Sequence, residues 1–156
     1  MKLKAIVLPV FLMGISVSVK AQKHAHTEAY DSGFTNKAEA KNKMVNGKKE
    51  GKWVEEFKNT GDTTKPIYRL AVYKSGKLNG IARYYYANGT EYEEEAYTNG
   101  TRNGVTKEFD SRKHLVKETP YINDTINGVV KDFNADGTLK KETLYYKGKE
   151  GISKSH

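Results

Sequence analysis

The chain has 156 residues, a formal net charge of +8, eleven tyrosines and no cysteine. Without cysteine it has neither the disulfides that staple small secreted scaffolds nor the processed cysteine that carries a lipid anchor, so sheet hydrogen bonds and aromatic packing must hold it together. Its basic residues are interleaved with acids along the chain, which gives only weak attraction to an anionic surface.

The N-terminus opens Met1-Lys2-Leu3-Lys4, runs apolar from Ala5 to Val19, and then reads Val19-Lys20-Ala21. A basic start, a short apolar stretch and small residues before a cleavage point make a secretory signal peptide over residues 1–21, cut after Ala21. The apolar run ends too soon for a transmembrane span, which needs roughly 20 apolar residues. The mature protein is therefore expected outside the cytoplasm, periplasmic or secreted, and export argues against nucleic acid as a partner. Removing the leader also removes Lys2, Lys4 and Lys20 and lowers the positive charge.

Residues 22–45 are polar and read as a linker, with a short helix predicted over 35–44, capped by Thr35 or Asn36 and stopped at Asn46-Gly47. A free terminus at Gln22-Lys23-His24 would offer the nitrogen donors that suit Cu²⁺ or Ni²⁺ in a square plane. A solvated tail histidine is the weightier reading, and no metal or other cofactor is implied.

From Asn46 onward a unit of 24 residues recurs. Tyr73, Tyr97, Tyr121 and Tyr145 are evenly spaced, each is followed three residues on by Gly76, Gly100, Asp124 or Gly148, and a second column holds Gly80, Gly104 and Gly128. Fixed-period self-similarity means stacked copies of one small supersecondary unit. Each unit predicts a hairpin whose first strand ends in Phe57, Tyr85, Phe109 or Phe133. Strands are expected near 80–86, 91–97, 104–110, 115–121, 128–134 and 139–145, with a further hairpin from 52–73. The turns are assigned to Asn59-Thr60-Gly61, Asn88-Gly89, Arg112-Lys113 and Asp136-Gly137, with Asn-Gly and Asp-Gly favouring two-residue type I′ geometry. The first unit carries five extra residues around 62–66, a longer loop. After Gly148 the repeat is cut short, and residues 150–156 read as a disordered tail.

A two-residue turn at Asn88-Gly89 sets Tyr85 opposite Tyr92 and Arg83 opposite Glu94. The next units give Phe109 opposite Val116 and Lys107 opposite Glu118, then Phe133 opposite Lys140 and Lys131 opposite Glu142. A basic–acidic ladder of Arg83, Glu94, Lys107, Glu118, Lys131 and Glu142 thus runs between an aliphatic and an aromatic row on one face. The other face, with Tyr84, Tyr86 and several glutamates, reads as solvated. Glu94, Glu118 and Glu142 do not form a glycosidase pair, which needs two acids about 5–9.5 Å apart across a cleft. Repeats on a sheet give a row of equivalents, so the ladder's role is register.

The motifs NGKKEGKWVEEF, SGKLNGIARYYYANGT, NGTRNGVTKEF and INGVVKDFNADGTLKKE together resemble the MORN-repeat family, closest to its bacterial antitoxin-like variant. The resemblance covers 46–149 and implies an elongated all-β antiparallel meander of tandem hairpins used as an interaction module with protein or membrane partners. It brings no catalytic residues. Asp124 and Lys113 depart from the pattern at positions that favour a left-handed backbone.

The resulting expectation is an exported, non-enzymatic module that binds a protein or another component of the cell envelope, with peripheral membrane contact compatible. Toxin-neutralising immunity and glycan or lipid binding are the alternatives. The interaction surface is assigned to Tyr84, Tyr86 and Tyr97, with Trp53 as a packing residue or stacking platform, since tyrosine is enriched in interfaces and costs little entropy to fix.

Overall fold

The computed structural model describes residues 33–57 and 66–156. The signal peptide, the linker up to Ser32 with its metal-donor motif, and the extended loop of the first unit lie outside the described residues. What is described is one open antiparallel meander. Its strands are β1 (Lys43–Val45), β2 (Lys48–Glu56), β3 (Ile67–Lys74), β4 (Lys77–Leu78), β5 (Gly80–Tyr85), β6 (Glu91–Thr98), β7 (Thr101–Arg102), β8 (Gly104–Phe109), β9 (Leu115–Ile122), β10 (Thr125–Ile126), β11 (Gly128–Phe133), β12 (Leu139–Tyr146) and β13 (Lys149–Ser155). The order across the sheet is β1-β2-β3-β5-β6-β8-β9-β11-β12-β13, and the short β4, β7 and β10 pair with β3, β6 and β9 at the hairpin tips. Sequential neighbours pair because short turns join them.

Both ends differ from expectation. Residues 35–44 do not form a helix: a three-residue 3-10 turn at Lys37–Glu39 follows Asn36, whose side chain accepts from Ala38 N at 3.0 Å, and β1 begins at Lys43. A ten-residue helix is marginal alone, and here the sheet edge outcompetes it. Asn42 bonds Val54 in both directions, at 2.8 and 3.2 Å, and the amides of Lys41 and Asn42 donate to Lys52 O. At the other end, residues 150–156 are not a loose tail. After the turn at Lys147-Gly148 the chain returns along β12 as β13, since one strand suffices to use the amides and carbonyls that the last full hairpin leaves open.

The type I′ turns also lie at the other end of each unit from the one expected. The pairs Ser75-Gly76, Asn99-Gly100, Asn123-Asp124 and Lys147-Gly148 all have positive φ at both residues and join directly paired strands, the type I′ geometry. At the opposite end of each unit the connection is longer. Gly89 N bonds Tyr86 O at 2.8 Å and Tyr86 N bonds Thr90 O at 2.9 Å, and only Gly89 within that loop has positive φ. That is a three-residue loop, a type I turn closed by a left-handed glycine. Ser111-Arg112-Lys113 and Ala135-Asp136-Gly137 repeat it, with Lys113 in the left-handed position.

The longer loop moves the pairing by one residue, so Tyr85 faces Glu91, Phe109 faces Leu115 and Phe133 faces Leu139, rather than Tyr92, Val116 and Lys140. A β-bulge one step further moves it back. Arg83–Glu94, Lys107–Glu118 and Lys131–Glu142 are therefore direct partners, as are Ile81 and Ala96. The bulges adjoin Tyr92, Val116 and Lys140, and the β2–β3 hairpin repeats the shift beside Tyr68, so the irregularity itself has the 24-residue period.

The tyrosine and glycine columns have one cause. Tyr73, Tyr97, Tyr121 and Tyr145 stand directly opposite Gly51, Gly80, Gly104 and Gly128 on the paired strand. Each large ring has a neighbour without a side chain. Gly104 could not be replaced easily: its φ is +140°, and a Cβ would lie 2.7 Å from Ala96 Cβ.

Both faces of the sheet bury side chains in the first repeats. On one, called here the tyrosine face, Ala71, Tyr73, Ala82 and Tyr84 form a cluster with Trp53, Leu78, Tyr92 and Tyr97 against it. On the other, the ladder face, Phe34 from the segment before β1 lies over Leu70 and Val72. Arg83 Nη1 donates to Phe34 O at 3.2 Å and holds that segment across the sheet. Phe34 thus ties the segment before β1 to the ladder face, beside the bonds that Lys41 and Asn42 make to β2.

Candidate functional site

The bulges decide where aromatic rings gather. At a bulge the extra residue leaves the alternation of the ladder, and Tyr68 and Tyr92 both come onto the tyrosine face. Ring centroids then form a chain: Phe57–Tyr68 at 5.5 Å, Tyr68–Tyr84 at 6.0 Å, Tyr84–Tyr92 at 6.2 Å and Tyr92–Tyr86 at 4.6 Å. The spacings suit edge-to-face and tilted pairs, which stiffen rings that a single-layer sheet would otherwise leave loose. The Arg69 guanidinium sits 5.6 Å from the Tyr68 ring and 5.5 Å from the Tyr84 ring. Tyr68 is 36% exposed and Tyr86 49%. The third and fourth units carry Val116 and Lys140 at the bulge, so the cluster belongs to the first two alone.

Of the residues assigned to this surface, Tyr86 is exposed. Tyr84 is not: it is 7% exposed and forms the floor of the cluster. The glutamates of β6 suggest a solvated face, but Glu95 is itself buried and accepts from Tyr97 OH at 2.5 Å. Tyr97 is half-buried and reaches Tyr84 OH at 3.4 Å. Trp53 packs edge-on to Tyr73 at 6.2 Å under the Lys49 ammonium and donates to Glu50 O. Tyr68 and Tyr92 escape the sequence reading because a two-residue turn leaves no bulge to put them there.

Beneath the rings runs a polar network. Glu55 accepts from Lys49, from Arg69 at 2.5 Å and from Tyr73 OH at 3.1 Å. Arg69 also donates to Tyr73 OH at 2.8 Å and Tyr84 OH at 3.4 Å. Further along, Arg102 is 3.7 Å from Glu95, 3.3 Å from Asp124 and 4.1 Å from the Tyr121 ring. Burial alone would raise the Glu55 carboxyl, but Arg69 and Lys49 outweigh it and hold it below the usual range. Burial pushes the Tyr84 phenol up to about 12. Burial and the bond to Glu95 raise Tyr97 as well. Glu55 and Glu95 are each engaged by a cation and a phenol, and Asp124 by Arg102, so the three tie neighbouring strands together.

The ladder closes unevenly. Arg83–Glu94 meets at 2.9 Å, Lys107 turns to Glu94 at 3.5 Å, and Glu142 is 3.2 Å from His156. Lys113, the left-handed turn residue, reaches buried Glu91 at 3.1 Å. Asp124 replaces glycine at its turn and uses its carboxylate to accept from Arg102 N at 2.8 Å.

Among the described residues no group of three or more acids and histidines is placed to hold a metal ion, and no helix is long and apolar enough to cross a membrane. No protein-family profile matches the chain, and no curated protein matches it.

Proposed function

We propose that the chain is an exported, non-enzymatic repeat module of the MORN-like kind that binds a protein of the cell envelope through the ring cluster of its first two repeats. The observation that carries the reading is the pair of exposed rings, Tyr68 and Tyr86, backed by Tyr92 and buried Tyr84. Exposed aromatics on a rigid support lose little entropy on docking, and such anchors dominate protein interfaces. The leader-like N-terminus supports an address beyond the inner membrane, where the partner is to be sought.

A photo-crosslinking residue placed at Tyr86 in the native host tests this, with the same probe at Tyr146 as control. Tyr146 is 67% exposed but stands outside the cluster. A discrete adduct with one envelope protein is expected at Tyr86 only, and Tyr68→Ala should weaken capture about tenfold, as loss of an interface anchor does. Equal labelling from both positions would overturn the reading. N-terminal sequencing of the native protein should begin at Gln22 or its cyclised form; intact Met1 would remove the envelope from the proposal.

A further inference from the structure

On the ladder face one row alternates in charge across six strands. Glu94 on β6, Lys107 on β8, Glu118 on β9, Lys131 on β11, Glu142 on β12 and Lys154 on β13 are each in direct register with the next. Beside it lies an apolar row of Ala96, Val105, Pro120, Val129, Leu144 and Ile152. In the first repeats this face is roofed by Phe34, and Leu70 and Val72 beneath it are buried. In the later repeats the apolar row is bare: Val105 is 40% exposed, Val129 39%, Leu144 47% and Ile152 80%.

We propose that this bare half is a homodimer interface, two copies packing sheet on sheet about a two-fold axis that runs along the strands between β9 and β11. Such an axis lays β9 over the second copy's β11, β8 over its β12 and β6 over its β13. Glu118 then meets the partner's Lys131, Lys107 meets the partner's Glu142, and Glu94 meets the partner's Lys154. All of these are opposite charges. The apolar row meets itself in the same operation, Val105 on the partner's Leu144 and Pro120 on the partner's Val129.

The charges require an axis between two strands, and of those the one between β9 and β11, at the centre of the six-strand row, pairs the most strands. Moving it by half a strand spacing, onto β11, would set Lys131 against the partner's Lys131 and Glu118 against the partner's Glu142. Like charges in contact cost enough to exclude an arrangement. Glu118 and Lys131, like Lys154 at the sheet edge, close no ion pair within 4.0 Å among the described residues, and they are the two that flank the axis. Twisted sheets pack closest near the axis and diverge away from it, so these two carry the register.

Size sets the strength. Six strands about 4.8 Å apart and three same-face positions along each cover roughly 450 Å² per copy, about 900 Å² in total. That is the low end for a specific interface, so association should be reversible and of micromolar strength. Both ring clusters would face outward on opposite sides, which leaves the envelope-binding reading independent of the dimer.

Sedimentation velocity on the purified chain across the micromolar range tests the proposal. The wild type should pass from monomer to dimer. Lys131→Glu and Glu118→Lys should each stay monomeric with unchanged far-UV circular dichroism. Mixed in equal amounts they should dimerise again, because one brings two acids to the axis and the other two lysines. Val129→Asp should also be monomeric, through the apolar row. A wild type that is monomeric throughout, as it would be if the stripe were covered from within one chain, overturns the proposal. So does a dimer that survives both charge reversals, which would point to pairing at the β13 edge, or a mixture that stays monomeric.

Discussion

Tyr84 joins the aromatic cluster to the polar network, and its phenol is one of several, with Tyr85 and Tyr97, through which high pH acts on the fold. In the folded protein burial keeps it protonated to about pH 12, against an ordinary value of 10.0. Between those values the unfolded chain binds fewer protons than the folded one, so stability must fall as pH rises from about 10 to about 12. Tyr84→Phe should flatten that decline. At neutral pH it should cost about 1 kcal/mol or less, because the two bonds it removes are both 3.4 Å long. Urea titrations at pH 7 and pH 11 measure both effects; an unchanged slope would mean the phenol is not protected. Gly104 gives the sharper loss. Gly104→Ala forces an L side chain to φ +140° and against Ala96, and a cost of about 2–3 kcal/mol is expected. Gly89→Ala, left-handed but in open space, should cost about 1 kcal/mol.

At the scale of elements, the strands and the ladder register were legible in the sequence because the 24-residue period fixes them. The turn type was not. A two-residue loop and a three-residue loop followed by a bulge both leave Arg83 opposite Glu94, so the charge pattern cannot distinguish them. The difference matters because the bulge is what brings Tyr68 and Tyr92 beside Tyr84. The buried character of the tyrosine face was hidden for another reason. Glu91, Glu93 and Glu95 read as one solvent-facing row, yet the bulge turns Glu91 to the ladder face beside Arg83 and Lys113, and Glu95 is covered by the tyrosine and arginine side chains it binds. The segment before β1 carries no comparable signal, because Phe34 is a lone apolar residue with no periodic neighbours. Phe34 is 5% exposed and covers Leu70 and Val72, so Phe34→Ala should destabilise by about 3 kcal/mol or more. Thermal unfolding would show it, accompanied by dye binding to the uncovered ladder face. A shift of under a degree would mean that the segment rests on the sheet without supporting it.

Across the whole molecule burial is graded, and the gradient has thermodynamic consequences. Each repeat touches only its neighbours, so stability is close to a sum of repeat and interface terms along the array. The first repeats contain Leu70, Ala71, Val72, Tyr73, Ala82 and Tyr84 as buried apolar residues, whereas the last full hairpin contributes Val130, packed beside the threonines Thr119 and Thr143. The final strand is exposed throughout. Local opening should therefore begin at β13 and run backward, with β3 and β5 opening last. In hydrogen exchange below the dimerising concentration, amides of β11–β13 should lose protection well before those of β3 and β5. Leu70→Ala should cost about 3–5 kcal/mol, while Val130→Ala, with fewer apolar neighbours to lose, should cost about 1–2 kcal/mol. Raising the concentration should then protect β9 and β11 selectively, because the proposed axis runs between them. Uniform protection from β2 to β13 at every concentration would mean a single cooperative unit, and the graded core would have no energetic meaning.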